Sequence, residues 1–207
     1  MSGRFVTLEG GEGVGKSTQA KALARALRER EIDIVETREP GGSTGAEAIR
    51  ALLLEGEIER WSAKAEALLF AAARSDHVAR TIAPALARGA WVLCDRFLDS
   101  SVAYQGIVDG VGADAVRRLH EIGSGGFLPD RTLLLRLEPA EATARTQVRD
   151  LAGADRFGAR DPAFHAGITE AFDRLAAEEP DRFRTIDAGG PPEAVTARLL
   201  AALEDLL

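Results

Sequence analysis

Apolar positions along this chain recur in two rhythms. Short, nearly continuous apolar runs alternate with longer stretches whose apolar residues return at helical spacing. RFVTLE (4–9) predicts a strand that ends at a glycine loop, and KSTQAKALARALRER (16–30) a helix rich in strong helix formers. IDIVETR (32–38) predicts a second strand running into the compact turn EPGGS. Residues 44–55 and 62–87 predict helices separated by EGEIERWS, with Ser62 placed to cap the longer one. AWVLCD (90–95) is apolar up to its terminal acid, the pattern of a central parallel strand buried on both faces.

The second half repeats the alternation. DSSVAYQ opens a helical region, residues 112–123 predict a helix, and GSGGFLPD a loop. TLLLRLE (132–138) predicts a strand, interrupted by Arg136, and a helix follows to about Asp150. LAGADRFGARD (151–161) is weakly patterned and reads as a mobile segment. Residues 162–178 return to helix, with Pro162 suited to the first turn. RFRTIDA (182–188) is a fifth short strand, and PPEAVTARLLAALEDLL closes the chain as a helix. Strands alternating with helices argue for an α/β protein built on a parallel sheet covered on both faces. No linker interrupts the pattern, so one domain over 1–207 is expected, with a short lid at about 149–161.

Composition narrows the function. A net charge of −7, with no basic arm or block, disfavours nucleic acid and anionic membrane as partners. Local arginines can still bind a small phosphorylated ligand. The single cysteine, Cys94, predicts no disulfide framework and a reducing compartment. The chain enters a strand and glycine loop at once, which predicts no secretory signal, and no apolar run reaches membrane-spanning length. A cytoplasmic protein is expected.

The densest chemistry lies in GGEGVGKST. Gly10 to Ser17 match G-x-x-x-x-G-K-S in full, between a predicted strand and a predicted helix. Such a loop turns its N–H groups on phosphate. Gly10, Gly11, Glu12, Gly13, Val14, Gly15, Lys16, Ser17 and Thr18 therefore form a candidate ATP or GTP site. Lys16 can bridge the outer phosphates, and Ser17 can ligate magnesium. Glu12 is the anomaly, because a carboxylate repels phosphate. Phosphoryl transfer also needs cations around the moving group. Asp95 ends a buried strand, where it can position magnesium or its water, and Arg96 can reach an acceptor phosphate. Arg38 and Arg74 are further anion-binding candidates. No asparagine occurs in the chain, which excludes the N-K-x-D element of guanine-specific switches. The small size favours a nucleoside monophosphate kinase or another small-metabolite kinase.

Several separated stretches then agree. EGGEGVGKST (9–18), TREPGGS (37–43), LLFAAARSDH (68–77), DRFLDSSVAYQG (95–106), LPDRT (128–132) and ADRF (154–157) make the chain resemble the bacterial thymidylate kinase (dTMP kinase) family over essentially its whole length. The phosphate loop is common to many enzymes, whereas its combination with TREPGG and DRFxDSSxAYQG is far more specific. The resemblance implies a P-loop kinase fold with a five-stranded parallel sheet, magnesium-dependent transfer from ATP to dTMP, and a cytoplasmic homodimer.

It also implies roles. Lys16 and Ser17 match the triphosphate and magnesium positions. Asp95 and Arg96 match the carboxylate and arginine beside the acceptor phosphate, and Arg38 the loop near it. Phe70 matches the aromatic against thymine, and Arg74 a residue at the thymine edge. Ser101, Tyr104 and Gln105 lie in the segment around base and deoxyribose, with Tyr104 crowding the 2′ position. Arg145 matches the arginine against adenine. Glu12 matches an acid that faces the acceptor's 3′-hydroxyl, which resolves the anomaly.

With Glu12 and Val14 in the phosphate loop, the chain is similar to the subgroup that supplies its catalytic arginine from the lid. Arg156 fits best, followed by Arg149 and then Arg160. The match weakens where Gly158 replaces an acid, Gly167 and Thr169 replace arginines, and Arg136 stands where the strand often carries Asp. His77 in RSDHVAR is expected on a polar helix surface, His165 in lid-helix packing, and Cys94 buried and unreactive. Two alternatives remain open at this point: another nucleoside monophosphate kinase, and a nucleotide-binding regulatory protein with weakened catalysis.

Overall fold

Five parallel strands form one sheet in the order β2-β3-β1-β4-β5, in a computed structural model that describes residues 3–150 and 156–207. Within residues 147–150 only the backbone is described. The strands are β1 (Phe5–Glu9), β2 (Ile34–Arg38), β3 (Trp91–Asp95), β4 (Arg131–Arg136) and β5 (Phe183–Asp187). Burial follows position in the sheet. β1, β3 and β4 are buried almost throughout, whereas the edge strands β2 and β5 also contain exposed residues. Helices on both faces account for the continuous apolar runs of the central strands.

The period-two alternation of a strand divides these residues between two cores. Phe5, Val92, Cys94 and Leu134 face one cluster with Phe97, Tyr104 and Phe172. Val6, Leu8, Leu93, Leu133 and Leu135 face the other, with Leu23, Leu27 and Leu199. The second cluster is closed by α1 (Lys16–Arg28) and α9 (Pro192–Ala201). On the first face lie α3 (Ala63–His77), α6 (Ala113–Ser124) and α8 (Pro162–Glu178), with α2 (Thr44–Leu54) packed on α3.

Several sequence expectations hold in detail. Ser62 caps α3, accepting from Ala65 N at 3.4 Å, and Pro162 sits in the first turn of α8; a cap not expected from the sequence is Asp161, which accepts from Phe164 N at 2.8 Å. Other boundaries move. The 62–87 region is α3, then a π-helical stretch Val78–Ile82, then α4 (Ala83–Ala87). The region after β3 is α5 (Leu98–Ser101) followed by a second π-helical stretch, Val102–Val108. The last helix ends at Ala201 and gives way to turns. α7 (Pro139–Asp150) lies before the segment expected as a lid, of which residues 151–155 fall outside the described residues.

β1 is paired on both sides, with β3 and β4, and the chain leaves it to reach β2 beyond β3. The carboxyl ends of β1, β2 and β3 therefore meet at one crevice, the point where open α/β sheets bind ligands. In register, Asp95 lies beside both Leu8 and Arg38.

Candidate functional site: a phosphate loop joined to a second cavity

The loop after β1 is fixed by glycine. Gly13 has φ +76°, and an added Cβ would lie 2.3 Å from the Ala142 carbonyl oxygen and 2.5 Å from Thr146 Oγ1 of α7. Only a residue without a side chain lets α7 approach this closely. Gly15, with φ +92°, turns the chain into α1. Lys16 folds back over the loop and donates from Nζ to the carbonyls of Gly11 (2.6 Å) and Gly10 (3.1 Å). Burial, with the neighbouring Arg96 charge, pushes its ammonium down to about 8. Ser17 Oγ donates to Asp95 Oδ2 at 2.6 Å, joining two hard oxygen groups, one from the start of α1 and one from the end of β3.

Arg96 stands at the centre. It adopts φ +70°, an uncommon conformation for a residue with a side chain. Glu9 holds the following turn from beneath, accepting from Phe97 N (2.8 Å), Ser100 N (3.3 Å) and Ser100 Oγ (2.6 Å). Burial and the nearby Asp99 raise the Glu9 carboxyl to about 8. Arg96 donates to Gly10 O (3.1 Å), Ser100 Oγ (3.0 Å) and Glu12 Oε1 (2.6 Å), and its guanidinium sits over the Tyr104 ring. Glu12 thus turns toward Arg96 and Tyr104, whose hydroxyl lies 3.5 Å away.

Two cavities meet here. The larger, of about 600 Å³, is lined by residues 12–19 with Arg38, Asp95, Arg96 and Arg145. The smaller, of about 100 Å³, is lined by Phe70, Arg74, Ser101, Tyr104 and Gln105. Glu12, Glu39, Arg50 and Arg96 line both, so the two spaces join at these side chains. The site residues expected from the sequence are thereby brought together, Arg149 and Arg156 excepted. Gly10 and Gly11 enter through their carbonyls, on Lys16 and Arg96. Arg38 also pairs with Glu47 at 3.0 Å, and Arg145 with Glu141 at 2.6 Å.

Two placements differ from expectation. Arg156 does not approach the phosphate loop. Its guanidinium is buried, donating to Leu53 O (2.7 Å), Glu57 O (2.8 Å), Ile58 O (2.7 Å) and Glu66 Oε2 (3.1 Å). The Arg149 side chain lies outside the described residues. His77 is fully buried, not on a surface. It bonds Glu39 Oε1 (3.0 Å) and Thr37 Oγ1 (2.7 Å), and Glu39 in turn accepts from Arg74 Nε at 2.8 Å. Arg74 also donates to Ser101 Oγ at 2.6 Å, so it is a buried brace as well as a cavity wall. Arg160 pairs with Asp109 at 3.4 Å and stacks on Phe164. Cys94 is buried as expected, with its thiol raised well above its ordinary value by burial.

Sequence reading missed Arg50, which α2 brings to the joint between the cavities, where it donates to Pro40 O at 2.6 Å. It also missed Glu39 and Glu9. The acid within TREPGG was the available signal for Glu39. Nothing in GAEAIRALL marks its arginine as facing inward. At the residues that depart from the resembled pattern, Arg136 reaches from β4 to α8, donating to Thr169 O at 3.4 Å and to Asp173. Among the described residues no helix is long and apolar enough to cross a membrane.

Comparison with known proteins follows this geometry. A sequence model of the family described as Thymidylate kinase matches residues 8–199. A thymidylate kinase of Rhizorhabdus wittichii is 66% identical over 207 residues, covering both chains in full. One from a Bradyrhizobium strain is 48% identical over 206 residues, covering 99% of this chain and 91% of its own. The crystal structure of thymidylate kinase from Ehrlichia chaffeensis superposes with a TM-score of 0.80 at 27% identity, covering 99% of this chain and all of that one.

Proposed function

Because the chain belongs to the thymidylate kinase family, we infer that it phosphorylates dTMP to dTDP with a nucleotide as phosphoryl donor. The observation that carries this reading is the junction itself: a phosphate loop and an aromatic-walled cavity share Arg96 and Glu12. A donor held by the loop and an acceptor in the cavity would meet there with their phosphates in line. Neither the sequence nor the geometry favours a regulatory protein or a different base. The whole chain acts as one domain, because both cores share one sheet.

The donor is ATP, its phosphates on the loop amides and Lys16, its base beside Arg145 at the rim of the larger cavity. Magnesium fits the Ser17 hydroxyl and Asp95 carboxylate, hard oxygen donors that leave room for the waters this ion retains. When bound, it would neutralise charge on the donor phosphates. Arg96 holds the acceptor phosphate, with Arg38 and Arg50 nearby. Phe70 lies against the base, Arg74 and Gln105 meet its edge, and Tyr104 crowds the sugar. An ionised phosphate attacks without a strong general base. Arg149, three residues beyond the loop-contacting Thr146 in α7, takes over the candidacy for the lid arginine. A homodimer is supported by the exposed Leu68 of α3 and Ile122 of α6, on packed neighbouring helices. The reduced Cys94 fits the cytoplasm.

The direct test supplies ATP, magnesium and a panel of dTMP, dUMP, UMP, CMP, AMP and GMP. dTDP is expected as the main product. Folded, ATP-binding protein that forms none would sink the reading, and equal use of UMP would remove the role given to Tyr104.

Glu12→Gln keeps the shape and removes the charge that Arg96 and the acceptor sugar share. KM for dTMP is expected to rise about tenfold or more, as for loss of a charge-assisted hydrogen bond, with ATP affinity nearly unchanged. The reverse pattern, measured by calorimetry and steady-state kinetics, would refute the assignment.

ATP affinity should also weaken as pH rises through about 8. Free Lys16 loses its proton there. Binding phosphate above that pH requires proton uptake, so the constant falls by up to about tenfold per pH unit. A flat profile between pH 7 and 9 would contradict a role for the Lys16 charge.

A further inference from the structure

We propose that Glu66, gripped by Arg156, sets which end of the Gln105 amide faces the smaller cavity, and so tunes the site to the imide N–H of thymine. The inference rests on reading that cavity as the acceptor-base site. Gln105 is buried and lines it. Its Nε2 donates to Glu66 Oε1 at 3.0 Å, while its carbonyl oxygen takes no hydrogen bond among the described residues. The oxygen is the end left for a ligand. An amide turned end for end keeps its shape and exchanges donor for acceptor, so its orientation follows from its partners alone.

Glu66 provides that partner under constraint. Its carboxylate is buried in α3 and accepts from Gln105 on one oxygen and Arg156 on the other. Arg156 is itself held by three backbone carbonyls, Leu53, Glu57 and Ile58, of which the Leu53 carbonyl is buried and would be left unpaired if Arg156 swung away. Burial, helped by Asp109, raises the Glu66 carboxyl overall, against the Gln105 hydrogen bond and the charges of Arg156 and Arg160, and the Arg156 ion pair holds it as a carboxylate. An ionised Glu66 can only accept, so Gln105 must present its amine to Glu66 and its oxygen inward. Thymine carries a donor at N3; cytosine carries an acceptor there. An inward oxygen suits the first and leaves the second with two facing acceptors, a mismatch of the kind that discriminates strongly in a buried site. Glu66 therefore acts as a positioning residue, in direct contact through Arg156 with the segment expected as a lid.

Glu66→Gln tests this. The new amide can donate to the Gln105 oxygen and turn the Gln105 amine inward. The ratio of kcat/KM for dTMP to that for dCMP should fall by about tenfold or more, with dCMP use rising in absolute terms. A lower melting temperature with an unchanged ratio would show Glu66 to be structural only and would overturn the proposal. Should Glu66→Gln not yield folded protein, Glu66→Asp retains the charge but shortens the reach to Gln105. The ratio is again expected to fall, and an unchanged ratio again overturns the proposal. Gln105→Ala separates the two levels of inference. If it leaves dTMP use intact, the cavity is not the base site. If it lowers dTMP use and abolishes the further effect of Glu66→Gln on the ratio, the relay through Gln105 is supported.

Discussion

Replacing Lys16 with methionine is expected to lower kcat by about three orders of magnitude, the scale seen when a preorganised group that stabilises transferring charge is removed. The side chain keeps nearly its length and volume, so the loop should hold its shape. What disappears is the one cation that the loop folds over its own carbonyls, 2.6 and 3.1 Å from Nζ. The fold itself should not suffer. A lysine pushed down to about 8 is a charge the folded state carries at a cost below that pH. That cost is relieved as pH rises from about 8 toward the unfolded value of 10.5. Lys16→Met removes it, so the melting temperature at neutral pH should hold or rise. Single-turnover kinetics and calorimetry on the same preparation check both halves. A variant that melts early and retains turnover would reverse the assignment.

Arg156→Ala should do the opposite. Its guanidinium, itself buried, satisfies three backbone carbonyls and the buried carboxylate of Glu66. Removing one partner of a buried ion pair strands the other charge, at about 3–5 kcal/mol. For a chain of this size that corresponds to a melting temperature lower by about 10 °C. Below the transition, turnover of the folded fraction should fall far less than for Lys16→Met. Arg149→Ala is expected to lower kcat with little change in melting temperature. If Arg156→Ala instead loses turnover and keeps its stability, this arginine leaves its carbonyl cage during the reaction, and the lid role returns to it.

Arg156 also shows where sequence reading stopped. ADRF marks an arginine in a loop of weak pattern, which reads as a mobile cation. Its partners are some ninety to a hundred residues earlier, in α2, α3 and the turn between them. Nothing local signals three carbonyls converging on one guanidinium. His77 failed in the same way. RSDHVAR is polar enough for a surface, yet Glu39 and Thr37 arrive from the end of β2 and enclose the ring. Arg50 was invisible because a helical arginine in an apolar context has no direction until the helix is docked. By contrast, the cap at Ser62 was legible, being a local hydrogen bond within one turn. The buried central strands were legible too, since burial on both faces leaves a continuous apolar run.

By itself the sequence determined the alternation of strand and helix, the phosphate loop with Lys16 and Ser17, and the family, because these depend on neighbouring residues and on spacing that survives in one dimension. The tertiary structure decided the strand order, the joining of two cavities at Arg96 and Glu12, and the buried pairings of Arg74, His77 and Arg156. Those depend on long-range packing, where a charged side chain takes its role from whichever distant carbonyl or carboxylate the fold sets beside it.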